Sequence, residues 1–328
     1  ASHQNLLDDI FQSLTQRLAE HLPDYGRYLA TDGKAIRAAR SDDADADWGT
    51  KRKGHPDGDE EAEITATWLG YKVHMVCDAT YELPVAFRLT KGSAGESPLL
   101  QKMVEEIHEK HSRVLERTEA LSADRGYDDG QDKRWLDEEY GIKPIIPARD
   151  MKQGNYEPLD PQRHDAVYIS PTGCVACRVR PFEADDEKQY APMMFMGYEH
   201  DRRTLKFRCP AAAWGIECEN QEACAAKASV KAGEYGRVVR IKIDRDRRRF
   251  GPVYHHSNQF QDLYAMRTSV ERLFARLDHM YGFERHHTVG LKAMKVRTTL
   301  AMIAMQSTAL AWIKVGKDER MRTQRPAA

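Results

Sequence analysis

The sequence predicts an α/β fold, a mixed sheet flanked by helices, interrupted by a Cys-bearing insertion. Three observations predict it. Between residues 27 and 147, short runs rich in Val, Thr, Tyr and Ile alternate with stretches of helical period. From about Asp150 to Asn258 the period dissolves into a Pro-, Gly- and Cys-bearing region, too long for a structureless loop inside a compact domain. Helical period then returns at Gln261.

Residues 1–26 are expected to form a helical N-terminal segment, and Arg27 to Ile36 a strand broken at Asp32-Gly33, which would put Asp32 at a strand end. The stretch from Ser41 to Glu63 carries many charges and almost no aliphatic side chains, so a solvated loop is expected. Ile64 to Ala79 and Leu83 to Thr90 concentrate Thr, Val, Tyr, Trp and Phe around a turn at Tyr81-Glu82, the pattern of a hairpin. Leu99, Leu100, Met103, Val104 and Ile107 give Glu96 to His111 a helical period, with Ser93 as an upstream cap. A short strand from Ala120 to Asp124, a helix from Gly130 to Tyr140 and a strand from Ile142 to Pro147 complete an α/β order. After the insertion, Leu263, Met266, Val270, Phe274, Leu277 and Tyr281 are spaced by three and four, predicting one long amphipathic helix, and Leu291 to Ile313 predicts a second. The expected organisation is therefore 1–26, a first part of the main domain at 27–149, an insertion at 150–258, C-terminal helices completing the main domain at 259–316 and a polar tail at 317–328.

Composition narrows the function. With 41% hydrophobic residues in 328, the chain can bury a core, so wholesale disorder is excluded. No stretch approaches the roughly 18 to 20 apolar residues of a membrane span, and the N-terminus lacks the basic-then-apolar layout of an export signal, so a soluble, cytoplasmic chain is expected. The chain begins at Ala1 without an initiator Met, so a trimmed chain is expected, and no helix-turn-helix is evident before Arg27. The net charge of -1 hides a division: 11 basic against 17 acidic residues over 1–100, 14 against 21 over 101–200, and 25 against 13 over 201–328. A basic C-terminal third points to a polyanion.

Asp32 and Asp124 each end a predicted strand, and strand ends of one sheet converge on a common cleft. On the helix from Gln261, Tyr264, Arg267, Glu271 and Asp278 fall within about 60° of each other, beside the apolar stripe. Two Asp and one Glu suit Mg2+ or Mn2+, two ions per site, and phosphodiester chemistry. Taken singly, each acid reads more often as a turn residue or an ion-pair partner.

Six Cys are too few for a disulfide scaffold, and five of them cluster. Cys209, Cys218 and Cys224, with Cys174 or Cys177, could supply the four ligands of a structural zinc site, whereas Cys77 on a sheet strand reads as core. Arg237, Arg240, Lys242, Arg245, Arg247, Arg248 and Arg249, offset only by Asp244 and Asp246, form a basic stripe able to neutralise DNA phosphates, or else an ion-paired edge. His286 and His287 have no matching carboxylate and stay unassigned.

In one order stand Thr31-Asp-Gly-Lys-Ala-Ile36, Gly70-Tyr-Lys-Val-His-Met-Val-Cys-Asp-Ala79 with Leu83-Pro-Val-Ala86 and Thr90-Lys-Gly92, Ala123-Asp-Arg-Gly-Tyr-Asp128, and Ser269-Val-Glu-Arg-Leu-Phe274. Together they closely resemble the DDE transposases of bacterial insertion sequences, over residues 27 to 315. The resemblance implies an RNase H-like fold, Asp32, Asp124 and Glu271 as the catalytic triad, cleavage at transposon ends followed by 3'-OH strand transfer, and DNA as partner. It further implies a homodimer in the active complex and a bacterial, nucleoid-associated location. The family's helix signature runs Tyr, two residues, Arg, three residues, Glu, six residues, Lys, with Tyr and Arg on phosphates near the transposon end. Tyr264, Arg267 and Glu271 match it, but Asp278 stands at the Lys position, and Arg272, Arg276 or Lys292 are the cations available to replace it. A metal nuclease of the same fold and a non-catalytic, transposase-derived DNA-binding protein are the rival readings.

Overall fold

The structure is a computed structural model that describes residues 2–53, 64–95, 97–149, 156–160, 166–179, 190–219, 224 and 235–321. In chain order, the first elements are α1 (Ser2–His21), β1 (Tyr28–Arg37), β2 (Asp47–Lys53), β3 (Ile64–Asp78), β4 (Leu83–Lys91), α2 (Ser97–Glu116) and β5 (Ala120–Ser122). Then come α3 (Gly130–Tyr140), β6 (Lys143–Ile145), β7 (Glu157–Pro158), β8 (Val167–Ile169), β9 (Val175–Arg178), β10 (Tyr190–Pro192), β11 (Met194–Glu199), β12 (Thr204–Arg208), α4 (Pro210–Trp214) and β13 (Val238–Lys242). Helices α5 (Asn258–Ala265), α6 (Thr268–Tyr281) and α7 (Leu291–Lys314) close the series. The chain forms two compact units, one from Ala1–Tyr127 with Ala265–Ala328 and one from Asp128–Tyr264.

In the first unit a mixed sheet is organised by β3, which pairs antiparallel with β1, β2 and β4. On its other edge β1 pairs parallel with β5. Alternation along β3 buries Tyr71, Val73, Met75 and Cys77, and the matching face of β1 buries Ala30 and Ile36. Helix α6 covers this surface with Val270, Leu273, Phe274 and Leu277, a spacing of three and four, and α7 adds Met294, Met302 and Met305. Cys77 is core, as its strand position implies; its thiol lies 3.6 Å from the Ser269 hydroxyl, and burial pushes its pKa up to about 12. Helices α1 and α7, from opposite ends of the chain, are tied by Gln4 Nε2 to Thr299 Oγ1 at 3.2 Å and by Gln306 Nε2 to Thr15 Oγ1 at 2.7 Å.

Four sequence expectations are corrected here. Asp32 does not end a strand: β1 runs through Asp32-Gly33 to Arg37, because its ladder to β3 continues from Leu29↔Asp78 to Arg37↔Gly70 and overrides the local turn preference. Part of the expected loop is β2, whose Asp47–Lys53 pair with Gly70–Ile64; residues 54–63 lie outside the described residues. Ser93 does not cap α2, since its hydroxyl donates to Asp47 Oδ2 at 2.6 Å. The long helix is two, α5 and α6. Around the break Ser269 N and Val270 N reach back three residues, to Met266 O and Arg267 O, and the Thr268 hydroxyl takes Ala265 O at 2.9 Å, so backbone and side chain close a tight turn.

In the second unit the Cys-bearing stretch is not irregular throughout. It holds an antiparallel sheet of order β10-β9-β8-β7 and another of order β11-β12-β13, around Val167, Ile169, Val175, Leu205, Phe207, Val239, Ile241 and Tyr254. Asp128 is wholly buried in this unit. It accepts from Lys133 Nζ at 2.6 Å, Arg248 Nη2 at 2.8 Å and Arg149 N at 2.8 Å. Burial works against its charge, but Lys133, the Arg149 amide and Arg248 outweigh it and hold its pKa below the ordinary carboxylate range. Its contribution is therefore present above about pH 4 and is lost as pH falls through the lowered folded value. Asp128→Asn should destabilise the protein by about 3–5 kcal/mol at pH 7, because Lys133 is left buried and uncompensated. Denaturant titrations at pH 7 and pH 3 should show the gap to wild type narrowing at the lower pH; an equal gap at both would assign the loss to packing.

Candidate functional site

The site is built on the α6-facing side of β1. Residues 30, 32, 34 and 36 share one face of that strand, so Asp32 and Lys34 interrupt an otherwise apolar surface between Ala30 and Ile36. Carboxylate and ammonium there need partners, and α6 supplies them. Arg267, at the start of α6, donates from Nη1 to Asp32 Oδ2 at 3.2 Å and from Nη2 to Glu271 Oε1 at 2.6 Å. About two turns beyond Glu271, Asp278 accepts from Lys34 Nζ at 2.6 Å. Asp32 is 9% exposed, and its other oxygen accepts the Gly33 amide at 2.7 Å.

Asp124 follows the strand next to β1. In the parallel ladder the last pair is Ala30 opposite Ser122, and Asp124 lies two residues beyond it, before the turn at Arg125–Tyr127. Its Oδ1 accepts the Gly126 amide at 2.7 Å, which fixes the turn after the strand. Glu271 is tied to Asp32 through one guanidinium.

Hard carboxylate oxygens are the donor set that Mg2+ or Mn2+ take. As they stand, the described residues include no group of three or more His, Cys, Asp or Glu in a metal-holding arrangement. The physical reason on this side of the molecule is Arg267, whose permanent charge lies between Asp32 and Glu271 as a counter-ion.

The other residues singled out from sequence fall elsewhere. Tyr264 is on α5, in the second unit, its ring stacked on Phe260 at 6.0 Å; with the helix broken, it does not share a helix with Arg267 and Glu271. Arg272 pairs with Glu82 at 2.6 Å, Arg276 is buried against the Glu82 backbone oxygen, and Lys292 is exposed at the start of α7. Lys34 is the residue that sequence reasoning missed. Its signal was present: two places after Asp32 on a strand, it must share the face of Asp32.

Much of the basic stripe is already compensated. Arg240 pairs with Glu199 at 2.8 Å, Arg247 with Asp137 at 2.5 Å, Arg248 with Asp128 at 2.8 Å, and Arg249 with Asp246 at 2.6 Å. Lys242 and Arg245 are exposed, and Arg237 is half-buried. Acids distant in sequence, Asp128, Asp137 and Glu199, supply the balance that the local count of charges lacked. Of the thiols, Cys174 sits beside the Tyr156 and Tyr254 hydroxyls, apart from the other four of the insertion. His286 Nε2 lies 2.9 Å from Arg37 O.

A family model described as "Transposase DDE domain" matches residues 26–306. No curated protein matches the chain. Among solved structures, the cryo-EM structure of a piggyBac transposase synaptic complex with hairpin DNA is similar over 93% of this chain and 55% of that one, at 12% identity and a TM-score of 0.33. The chain spans about half the length of that one.

The Arg267 bridge makes a measurable claim. Without DNA, Arg267→Ala should bind Mn2+ roughly 2- to 30-fold more tightly than wild type, since two partly exposed ion pairs are lost, each worth about 0.2–1 kcal/mol. Calorimetric titration checks it, and an unchanged or weaker affinity would remove Arg267 as competitor.

Proposed function

Because the chain belongs to the transposase DDE domain family, we propose that it cleaves DNA at transposon ends and joins the freed 3'-hydroxyl to target DNA, with Asp32, Asp124 and Glu271 as the metal-holding triad. The observation that carries this reading is the link of Asp32 to Glu271 through Arg267, with Asp124 two residues beyond the strand that pairs parallel to β1. A sheet in which β1 runs beside a hairpin on one edge and a parallel β5 on the other supports an RNase H-like core. Such a core needs its acids at these places.

The three carboxylates would hold Mg2+ or Mn2+. When bound, two such ions supply an activated oxygen nucleophile and stabilise the leaving oxygen of a phosphodiester. Arg267, once released from the carboxylates, would grip a phosphate beside the scissile bond, bidentate and permanently charged. Lys34 is the cation that stands where the family's helix signature leads one to look: its ammonium lies against Asp278, so β1 would deliver the positive charge that α6 lacks. Exposed Lys242 and Arg245 would add the sequence-independent part of DNA affinity.

Supplying the element's own flanking DNA with Mn2+ tests the reading. Asp32→Asn, Asp124→Asn and Glu271→Gln should each depress 3'-end cleavage by on the order of a hundredfold or more, with folding and DNA binding retained, because each keeps shape and removes a ligand charge. Near-wild-type turnover in any one would strike that residue from the triad. Cleavage without strand-transfer product would leave a nuclease instead.

Lys34→Ala should slow cleavage more than it weakens general duplex binding, and Lys34→Arg should restore much of the rate. A positioned phosphate misplaced by about 1 Å can cost on the order of a hundredfold. Equal losses in binding and rate, or no rescue by Arg, would make Lys34 a structural partner of Asp278 and nothing more.

A further inference from the structure

In the second unit four thiols from four separate places in the chain line one small cavity: Cys177 on β9, Cys209 before α4, and Cys218 and Cys224 beyond it. We propose that this cavity binds a single soft divalent cation, zinc, as a structural tetrathiolate site. Its free volume is about 20 Å³, room for one water-sized body and no more. Four sulfur ligands are the number that structural zinc takes, and thiolate donors select zinc over the hard cations of the carboxylate site.

Two further features fit a cation there better than four inert thiols. Arg178, 3% exposed, and half-buried Arg237 also line the cavity. Four thiolates around one zinc carry two net negative charges, which two guanidiniums at the wall offset. The chain also comes in close behind the ligand: a Cβ on Gly236, which has φ +68°, would stand 2.9 Å from Cys209 Cβ, so only glycine lets residues 236–237 close over that cysteine. The Cys209 amide in turn donates to Arg237 O at 2.8 Å.

The thiols do not stand at coordinating spacing as they are. Changes of cysteine rotamer draw the four sulfurs inward, and each thiol releases its proton to solvent as its thiolate binds; no oxidant or reductant takes part. Cys174 and Cys77 remain outside, the first beside tyrosine hydroxyls and the second in the sheet core.

The site is independent of the transposase reading, since its metal is structural. The full chain, purified under reductant without chelator, should contain about one zinc, and Co2+ added to the stripped protein should give the near-ultraviolet charge-transfer absorption of thiolate ligands. Cys218→Ser and Cys224→Ser, both at half-buried positions, should each lose the metal while circular dichroism holds. Cys174→Ser and Cys77→Ser should keep it. Absence of zinc together with absence of the cobalt band in folded wild-type protein overturns the proposal. So does a full zinc content in the Cys218→Ser, Cys224→Ser double variant.

Discussion

The first unit rests on β1 being held at both edges. Antiparallel pairing to β3 over nine positions and parallel pairing to β5 together fix which side chains face α6. A slip of one residue would turn Asp32 and Lys34 to the opposite side of the sheet and present Thr31 and Gly33 to α6. Packing and chemistry are therefore one constraint: Ala30 and Ile36 anchor the strand in the core, and the acid between them goes where the anchors put it.

Electrostatics then dictates what α6 carries. An acid and an ammonium on a covered strand face are tolerable only with partners in reach. Arg267 and Asp278 answer Asp32 and Lys34 in opposite senses, so the helix is pinned to the strand by two pairs of reversed polarity some three turns apart. The intervening Val270, Leu273, Phe274 and Leu277 do the apolar packing. A helix held this way has one rotation and one translation that satisfy it, which keeps Glu271 within reach of Asp32 through Arg267.

Much of this was legible in the sequence, for identifiable reasons. The hairpin of β3 and β4, the helix at Gly130–Tyr140 and the long α7 follow from period and composition, because their burial is regular. What failed to show was decided by partners far along the chain. Gly33 looked like a turn until β3 carried the ladder across it. Asp47–Lys53 looked like a solvated loop because its polar side chains belong to a strand held by backbone pairing to β3. Arg247 and Arg248 looked free because Asp137 and Asp128 lie about 110 and 120 residues earlier. The short strands of the insertion, of two to six residues, are too brief to show a period at all.

The tie between α1 and α7 has a bearing on how the molecule is made. The first unit draws on both ends of the chain, with bonds spanning 295 residues between Gln4 and Thr299 and 291 between Thr15 and Gln306. The second unit is continuous in sequence. A chain emerging from the ribosome can thus complete the second unit while the first still lacks α6 and α7. Until those helices are synthesised, Tyr71, Val73 and Met75 lack the apolar side chains of α6 and α7, and closing the core requires contacts of very high sequence separation, which form slowly. Glu271 arrives with that last step, so its link to Asp32 through Arg267 forms only once nearly the whole polypeptide exists.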